Sequence, residues 1–428
     1  MKKKHFLPFI SLLMCMASCN SGNEEQITII DHRNPTDKPN EEVPDGKTPE
    51  VLYADSIAKL SNVTMLQQHT KGDGFHIVIM ADGYTKEDIN NGRYRNAVLA
   101  AKNAIFAQKP MRDLEEYVDI IEVMVPSLHS GVDYTKRQTG LRTSLQQGNS
   151  TNVYGDSLTI LQCAWTALRK TYNNFNNSQA EGERRLGNTL VLALLNTNVY
   201  KGVTLLADDK EATDKIPGGY SLSYVPAYAT VQGRNVFADL VRHEGVGHGI
   251  AKLGDEYHYD EAPYNSVPQK DVARFTEGQK IGFFMNIGYD ATGSGDVEGR
   301  HPIEATSWLY PFTQMAEYAG EDLHWYKGAF EYSTGFYRSS NHSIMNATTE
   351  AGNETFNVAS RAMIYKRIMR AAYGKSWQFD YNAFRTFDSP AATPALHTAR
   401  AARAIPSVVK APMLEAPRFI KIEKFNIK

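Results

Sequence analysis

From Val241 to Tyr257 the chain reads Val-Arg-His-Glu-Gly-Val-Gly-His-Gly-Ile-Ala-Lys-Leu-Gly-Asp-Glu-Tyr, and this stretch constrains the fold more than any other. It places His243, Glu244, His248, Asp255 and Glu256 within one helix and the turn that follows. Two imidazoles, a carboxylate beside the first and another carboxylate just downstream make the parts of a hydrolytic zinc site. The fold has to bring these groups to one point and leave that point accessible.

Peptide hydrolysis explains why these residue types occur together. Water is a poor nucleophile at neutral pH, and one bound Zn2+ lowers its pKa to about 7 while polarising the scissile carbonyl. Three protein ligands hold such an ion and leave a position open. A neighbouring carboxylate takes the proton and passes it to the leaving amine. In this scheme His243 and His248 are ligands and Glu244 is the general base.

The interval between the histidines is unusual. His-Glu-x-x-His puts two imidazoles four residues apart on one helical face, whereas His243-Glu-Gly-Val-Gly-His248 puts them five apart. On a regular α-helix five residues overshoot alignment by about 140°. A single π-type turn brings i and i+5 together. Gly245, Gly247 and Gly249 each weaken the helix by about 1 kcal/mol relative to alanine, which eases such rewinding. The expectation is one inserted residue absorbed as a bulge; without it there is no metal site. The third ligand has to come from beyond the helix. Leu253-Gly254 supplies a turn, with Gly254 free to take a positive φ. Asp255 has the shortest path back and is favoured; Glu256 is the alternative ligand or an outer partner.

Downstream, Tyr337-Arg-Ser-Ser-Asn-His-Ser-Ile-Met345 places a methionine in a turn-like stretch. Met345 then suits a Met-turn, an apolar floor under the metal and not a ligand. An ordinary core methionine is an equal reading of the motif alone. His301, His324 and His342 are read as surface or cleft residues.

The N-terminus has the order of an export signal. Met1-Lys-Lys-Lys4 is basic, residues 6–16 are apolar but too short to span a bilayer, and Met16-Ala-Ser-Cys19 ends the segment. This is the pattern of a lipoprotein leader over residues 1–19, with lipid added to Cys19. The expectation is an exported bacterial lipoprotein, anchored by lipid at the outer membrane, on the surface or the periplasmic face. Cys15 leaves with the leader, so only Cys163 remains unmodified. A disulfide within the chain is therefore excluded, and Cys163 reads as a core residue. Without Lys2, Lys3 and Lys4 the chain has 43 basic against 48 acidic residues, which excludes a basic nucleic-acid surface.

Residues 20–50 are polar and punctuated by Pro35, Pro39, Pro44 and Pro49, the composition of a flexible tether. Ile27-Thr-Ile-Ile30 has edge-strand character. A catalytic domain is expected over 51–375 and a tail of unassigned role over 376–428. Residues 75–80, 118–125 and 189–195 are strand-length apolar runs without polar alternation. Helical segments over 85–108 and 157–172 separate them. This argues for an α/β layer covered on both faces. Residues 239–253 are the central helix, 257–335 read as loop-rich, 357–373 return to helical spacing, and 418–425 are strand-like.

The stretch from His243 to Tyr257, with Ile77-Val-Ile-Met-Ala-Asp-Gly-Tyr84 upstream and Ser343-Ile-Met345 downstream, resembles the bacterial immunoglobulin A peptidase family over roughly residues 70–373. The resemblance implies a metzincin-like α/β fold, a mixed twisted sheet with covering helices and a central active-site helix. It also implies one catalytic zinc on His243, His248 and Asp255, with Glu244 as base. The activity expected is a zinc endopeptidase acting on extracellular protein or glycoprotein. The family name does not carry its substrate over, since specificity lies in the cleft walls. Two other readings are an inactive binding module, suggested by the extra residue, and a zinc amidase acting on cell-wall or glycan-linked amides.

Overall fold

The computed structural model describes residues 29–30, 62–134, 139–145, 153–172, 178–207, 215–260, 264–293, 296, 299–346, 355–389 and 416–422. The leader with Cys15 and Cys19 lies outside the described residues, as does the 20–50 tether apart from its strand at 29–30. Among the described residues no helix is long and apolar enough to cross a membrane.

The apolar runs form the middle of an eight-stranded sheet. Its strands are β1 (Ile29–Ile30), β2 (Val63–Gln67), β3 (Phe75–Asp82), β4 (Val118–Val123), β5 (Thr189–Leu195), β6 (Val203–Ala207), β7 (Ser221–Pro226) and β8 (Arg418–Ile422). They lie in the order β1-β8-β6-β7-β5-β3-β4-β2. β4, β3, β5 and β7 are parallel; β2 runs antiparallel to β4, and β6 antiparallel to β7. All eight residues of β3 and all seven of β5 are buried, because successive side chains enter two different cores. Ile77, Ile79, Leu190, Leu192 and Leu194 face one core; Val78, Met80, Val191, Ala193 and Leu195 face the other. A strand that must be apolar on both faces cannot alternate with polar residues, which is why these runs are continuous.

Helices α1 (Arg93–Phe106), α2 (Ser157–Thr171) and α3 (Val358–Tyr373) cover the sheet. α1, α3 and the helix that carries the histidines share the first core, and α2 closes the second with Cys163 buried in it. The helix expected over 85–108 is two helices. A reciprocal Thr85–Asp88 capping box starts a short one at Lys86–Asn90, and α1 begins after Gly92, whose φ of 83° is left-handed. No side chain but hydrogen is at ease there, so the break is written at Gly92.

Near the start of β4, Asp119 is fully buried. Its carboxylate accepts from the His69 backbone N–H (2.7 Å), from His76 Nδ1 (3.0 Å) and from the Tyr172 hydroxyl. Burial opposes its ionisation, but these hydrogen bonds prevail, with His76 foremost, and hold the carboxyl down at about 2. A depressed acid stabilises the fold above its unfolded pKa and loses that contribution as pH falls through the folded value. Stability is thus expected to fall by about 2 kcal/mol between about pH 4 and pH 2 on account of Asp119. Urea unfolding across that range checks it: Asp119→Asn flattens this part of the profile, and an unchanged slope contradicts the assignment.

Residues 257–335 are more ordered than their composition suggests. They contain the helix Gln269–Lys280 and contribute to a five-stranded sheet of His258–Tyr259, Glu331–Arg338, Trp325–Ala329, Arg300–His301 and Ile287–Tyr289. Three of these strands have only two or three residues, too few to show a period. Their hydrophobic content lies in rings packed edge to face, among them Phe275 on Phe336 and Phe284 on Phe330. The packed body also continues past residue 375. The helix Tyr381–Asp388 buries Phe384, Arg361 bonds Asp388 and Glu321, and β8 adds to β6 in parallel.

Candidate metal centre

The central helix begins as one α-turn, Phe237–Leu240, and continues as a π-helix over Val241–Ile250 with all ten residues buried. The sequence called for a single bulge; the rewinding extends through the whole glycine-rich segment. Its surroundings supply the reason. A Cβ on Gly249 would meet Leu190 Cδ1 of β5 at 2.6 Å, and one on Gly247 would meet Met345 Sδ at 2.3 Å. The glycines therefore do more than ease the winding: they let this helix lie directly on the sheet and on the Met345 turn.

With i→i+5 bonding, the five-residue interval brings the rings together. His243 Nε2 and His248 Nε2 are 3.2 Å apart, and the ring planes stand at 90°. Each ring is fixed by its other nitrogen. His243 Nδ1 donates to the Ile344 carbonyl (2.9 Å), and His248 Nδ1 to that of Leu253 (2.8 Å). Nδ1 bound this way leaves Nε2 with its lone pair facing inward, the tautomer a metal needs.

The helix ends at Ile250, and the left-handed residue of the turn after it is Lys252 (φ 54°), not Gly254 as the sequence suggested. Lys252 is fully buried and donates from Nζ to the Tyr220 carbonyl (3.0 Å), which anchors this turn. Gly254 is needed for space: a Cβ there would lie 2.8 Å from Ile287 Cγ1. The chain then delivers Asp255 Oδ1 to 3.2 Å from both imidazole Nε2 atoms.

His243, His248 and Asp255 are a group able to hold a metal ion, each offering one donor atom. Both carboxylate oxygens of Asp255 are buried with no aligned hydrogen-bond donor. Three electron-rich atoms facing one another require positive charge between them. The electrostatics make the same demand: burial works against the charged form of each, yet His248 holds the Asp255 carboxyl below the usual carboxylate range and Asp255 raises the His248 imidazole above its ordinary value. A tetrahedral shell with bonds of about 2.0–2.1 Å has edges of about 3.3–3.4 Å. The observed edges of 3.2 Å fit a small tetrahedral cation.

Glu244 is fully buried beside this trio, and burial raises its carboxyl pKa against the pull of His248 and His243. Oε2 accepts from Thr204 Oγ1 of β6 (2.7 Å), while Oε1 is buried and unbonded. Gly202, just before β6, permits this placement, since a Cβ there would lie 2.6 Å from Glu244 Oε1. Gly202→Ala is expected to displace the carboxylate and lower turnover by about 100-fold without loss of metal. Metal content and kcat measured on one preparation check this; a fully active variant contradicts it.

Glu256 points elsewhere. It accepts from Asn286 Nδ2 (2.9 Å) and Asn357 Nδ2 (3.1 Å), and burial pushes it up to about 7. It is not among the three donor groups that face one another. Met345 is buried under Gly247, and its turn also works through the main chain: the Ile344 carbonyl holds His243, and the Met345 carbonyl accepts from the Glu256 N–H (2.8 Å). His301 pairs with Asp296, His324 with Asp322, and His342 is exposed, all apart from the trio. Sequence reasoning missed Thr204, Asn286 and Asn357. None belongs to a metal-ligand type, and no motif marks them.

Residues 63–274 match the family model described as IgA Peptidase M64. The chain belongs to this family. No curated protein matches the chain. The M64 segment contains the histidine pair, Glu244 and Asp255, and ends before Asn286 and Met345. Membership makes the chain a peptidase, and the donor set just described is where a metal would be held.

Proposed function

We propose that this chain is a zinc-dependent endopeptidase that cleaves extracellular protein or glycoprotein. The observation that carries the reading is the convergence of three buried donor atoms with 3.2 Å edges beside a carboxylate that has one unbonded oxygen. Zinc bound at His243, His248 and Asp255 would supply a polarised carbonyl and a water nucleophile at neutral pH. Two nitrogens and one carboxylate with tetrahedral edges favour this ion over the larger, oxygen-seeking calcium. Glu244 Oε1 takes the proton of the attacking water, and the same oxygen returns it to the leaving amine. Thr204 holds the other oxygen, so the carboxylate cannot rotate away. Burial raises the carboxyl pKa, which suits a group that has to receive and then release a proton. Residues 1–19 support display by a lipid on Cys19, which would put the site where extracellular protein is met.

The extra residue between the histidines had suggested an inactive module. The π-helix absorbs it and favours catalysis instead. The test is zinc-loaded protein incubated with a library of denatured proteins and, separately, with peptidoglycan. New N-termini inside polypeptides, abolished by a chelator and restored by zinc, are expected. Release of peptidoglycan amides alone would establish the amidase reading, and no cleavage by stoichiometrically loaded protein would contradict both.

A further inference from the structure

Asp255 is the one donor of the trio that lies outside the helix, on the short loop Gly254-Asp-Glu256. A catalytic group has to be held to within about 0.5 Å of its working position, and a loop does not provide that by itself. Main-chain bonds tie the loop at Asp255 (carbonyl to Phe330 N–H, 2.9 Å) and at Glu256 (N–H to the Met345 carbonyl, 2.8 Å), and one side chain bonds the residues on both sides of Asp255. Asn286 Oδ1 accepts from the Gly254 N–H (2.8 Å), and Asn286 Nδ2 donates to the Gly254 carbonyl (2.9 Å), pairing amide with peptide. The second Nδ2 hydrogen goes to Glu256 Oε1 (2.9 Å). Both donors and the acceptor of the amide are thus committed to the two residues that flank Asp255. Asn286, Glu256 and Asp255 are essentially unexposed, so water does not compete for these bonds.

We propose that Asn286 is a positioning residue for the metal centre: by clasping Gly254 and Glu256 it presents the Asp255 carboxylate to the two imidazoles in one orientation. The inference rests on the reading that the trio binds metal. Asn357 provides the contrast. It also donates to Glu256, but its Oδ1 caps α3 through the Ser360 N–H (2.9 Å), and it has no bond to Gly254. Asn357 therefore serves the fold, and Asn286 the ligand.

The experiment compares Asn286→Ala, Asn286→Asp and Asn357→Ala in the full chain. It measures zinc affinity by chelator competition, the visible spectrum of the cobalt-substituted protein, kcat and KM, and the melting temperature of the metal-free form. Both Asn286 variants are expected to bind zinc about 10- to 100-fold more weakly, to shift the cobalt spectrum, and to lose kcat with little change in KM. Asn357→Ala is expected to melt earlier while keeping wild-type zinc affinity and spectrum. Asn286→Asp has nearly the volume of asparagine and keeps the acceptor, so it carries the test if the alanine variant does not fold. Wild-type affinity and spectrum in the Asn286 variants, or equal shifts in Asn357→Ala, overturn the inference. A wild-type chain that binds no zinc would instead overturn the function proposed above.

Discussion

Glu244→Gln is expected to lower kcat/KM by about 100- to 10,000-fold while the metal stays bound, the range that a positioned general base contributes. Glutamine fills the same space and its amide oxygen still accepts from Thr204 Oγ1, so the neighbouring structure has no cause to move. What it lacks is an oxygen that can take up a proton at the Oε1 position, the one Glu244 oxygen with no partner. The loss should fall on kcat, with KM little altered, because no contact to substrate is removed. Steady-state kinetics and metal content from the same preparation check it. Wild-type turnover in a zinc-loaded variant would remove Glu244 from the chemistry.

The adjacent acids Asp255 and Glu256 should respond in opposite ways. Asp255→Asn removes the one carboxylate among the three donor groups and is expected to weaken metal binding by more than the about 10- to 100-fold typical for losing an outer partner. Activity falls with it. Glu256→Gln keeps an acceptor for Asn286 and removes a carboxyl whose ionisation burial opposes, so metal binding should survive. Metal affinities of the two variants check this directly. If Glu256→Gln loses the ion and Asp255→Asn retains it, the ligand assignment is reversed.

The contrast between these neighbours also shows how far the sequence could be read. That His243, His248 and Asp255 meet with Glu244 beside them was legible because chemistry restricts which residue types can serve, and the spacing of five demanded a π-type winding. The extent of that winding was not legible. It depends on Leu190 and Met345 lying within a Cβ's reach of Gly249 and Gly247, contacts between distant segments. The turn was assigned to Gly254 because glycine is the usual left-handed residue, yet Lys252 adopts that conformation, held by a bond to Tyr220. Continuous apolar runs gave the parallel strands correctly, since burial on both faces leaves a mark in composition. The second sheet left none, because its short strands are held by ring packing and by backbone partners such as Phe330 N–H to the Asp255 carbonyl (2.9 Å). Asn286 is the instructive omission: a lone asparagine between Phe283-Phe284-Met285 and Ile287 has no signature until the peptide it clasps is seen.

All of this turns on a cation at the meeting point of His243, His248 and Asp255. Diffraction from crystals of the purified chain, collected on either side of the zinc absorption edge, measures that directly. The account predicts one anomalous peak per chain, bonded to His243 Nε2, His248 Nε2 and an Asp255 carboxylate oxygen at about 2.0–2.2 Å. Crystals soaked in excess zinc that show no peak there, or a peak held by other side chains, would contradict it.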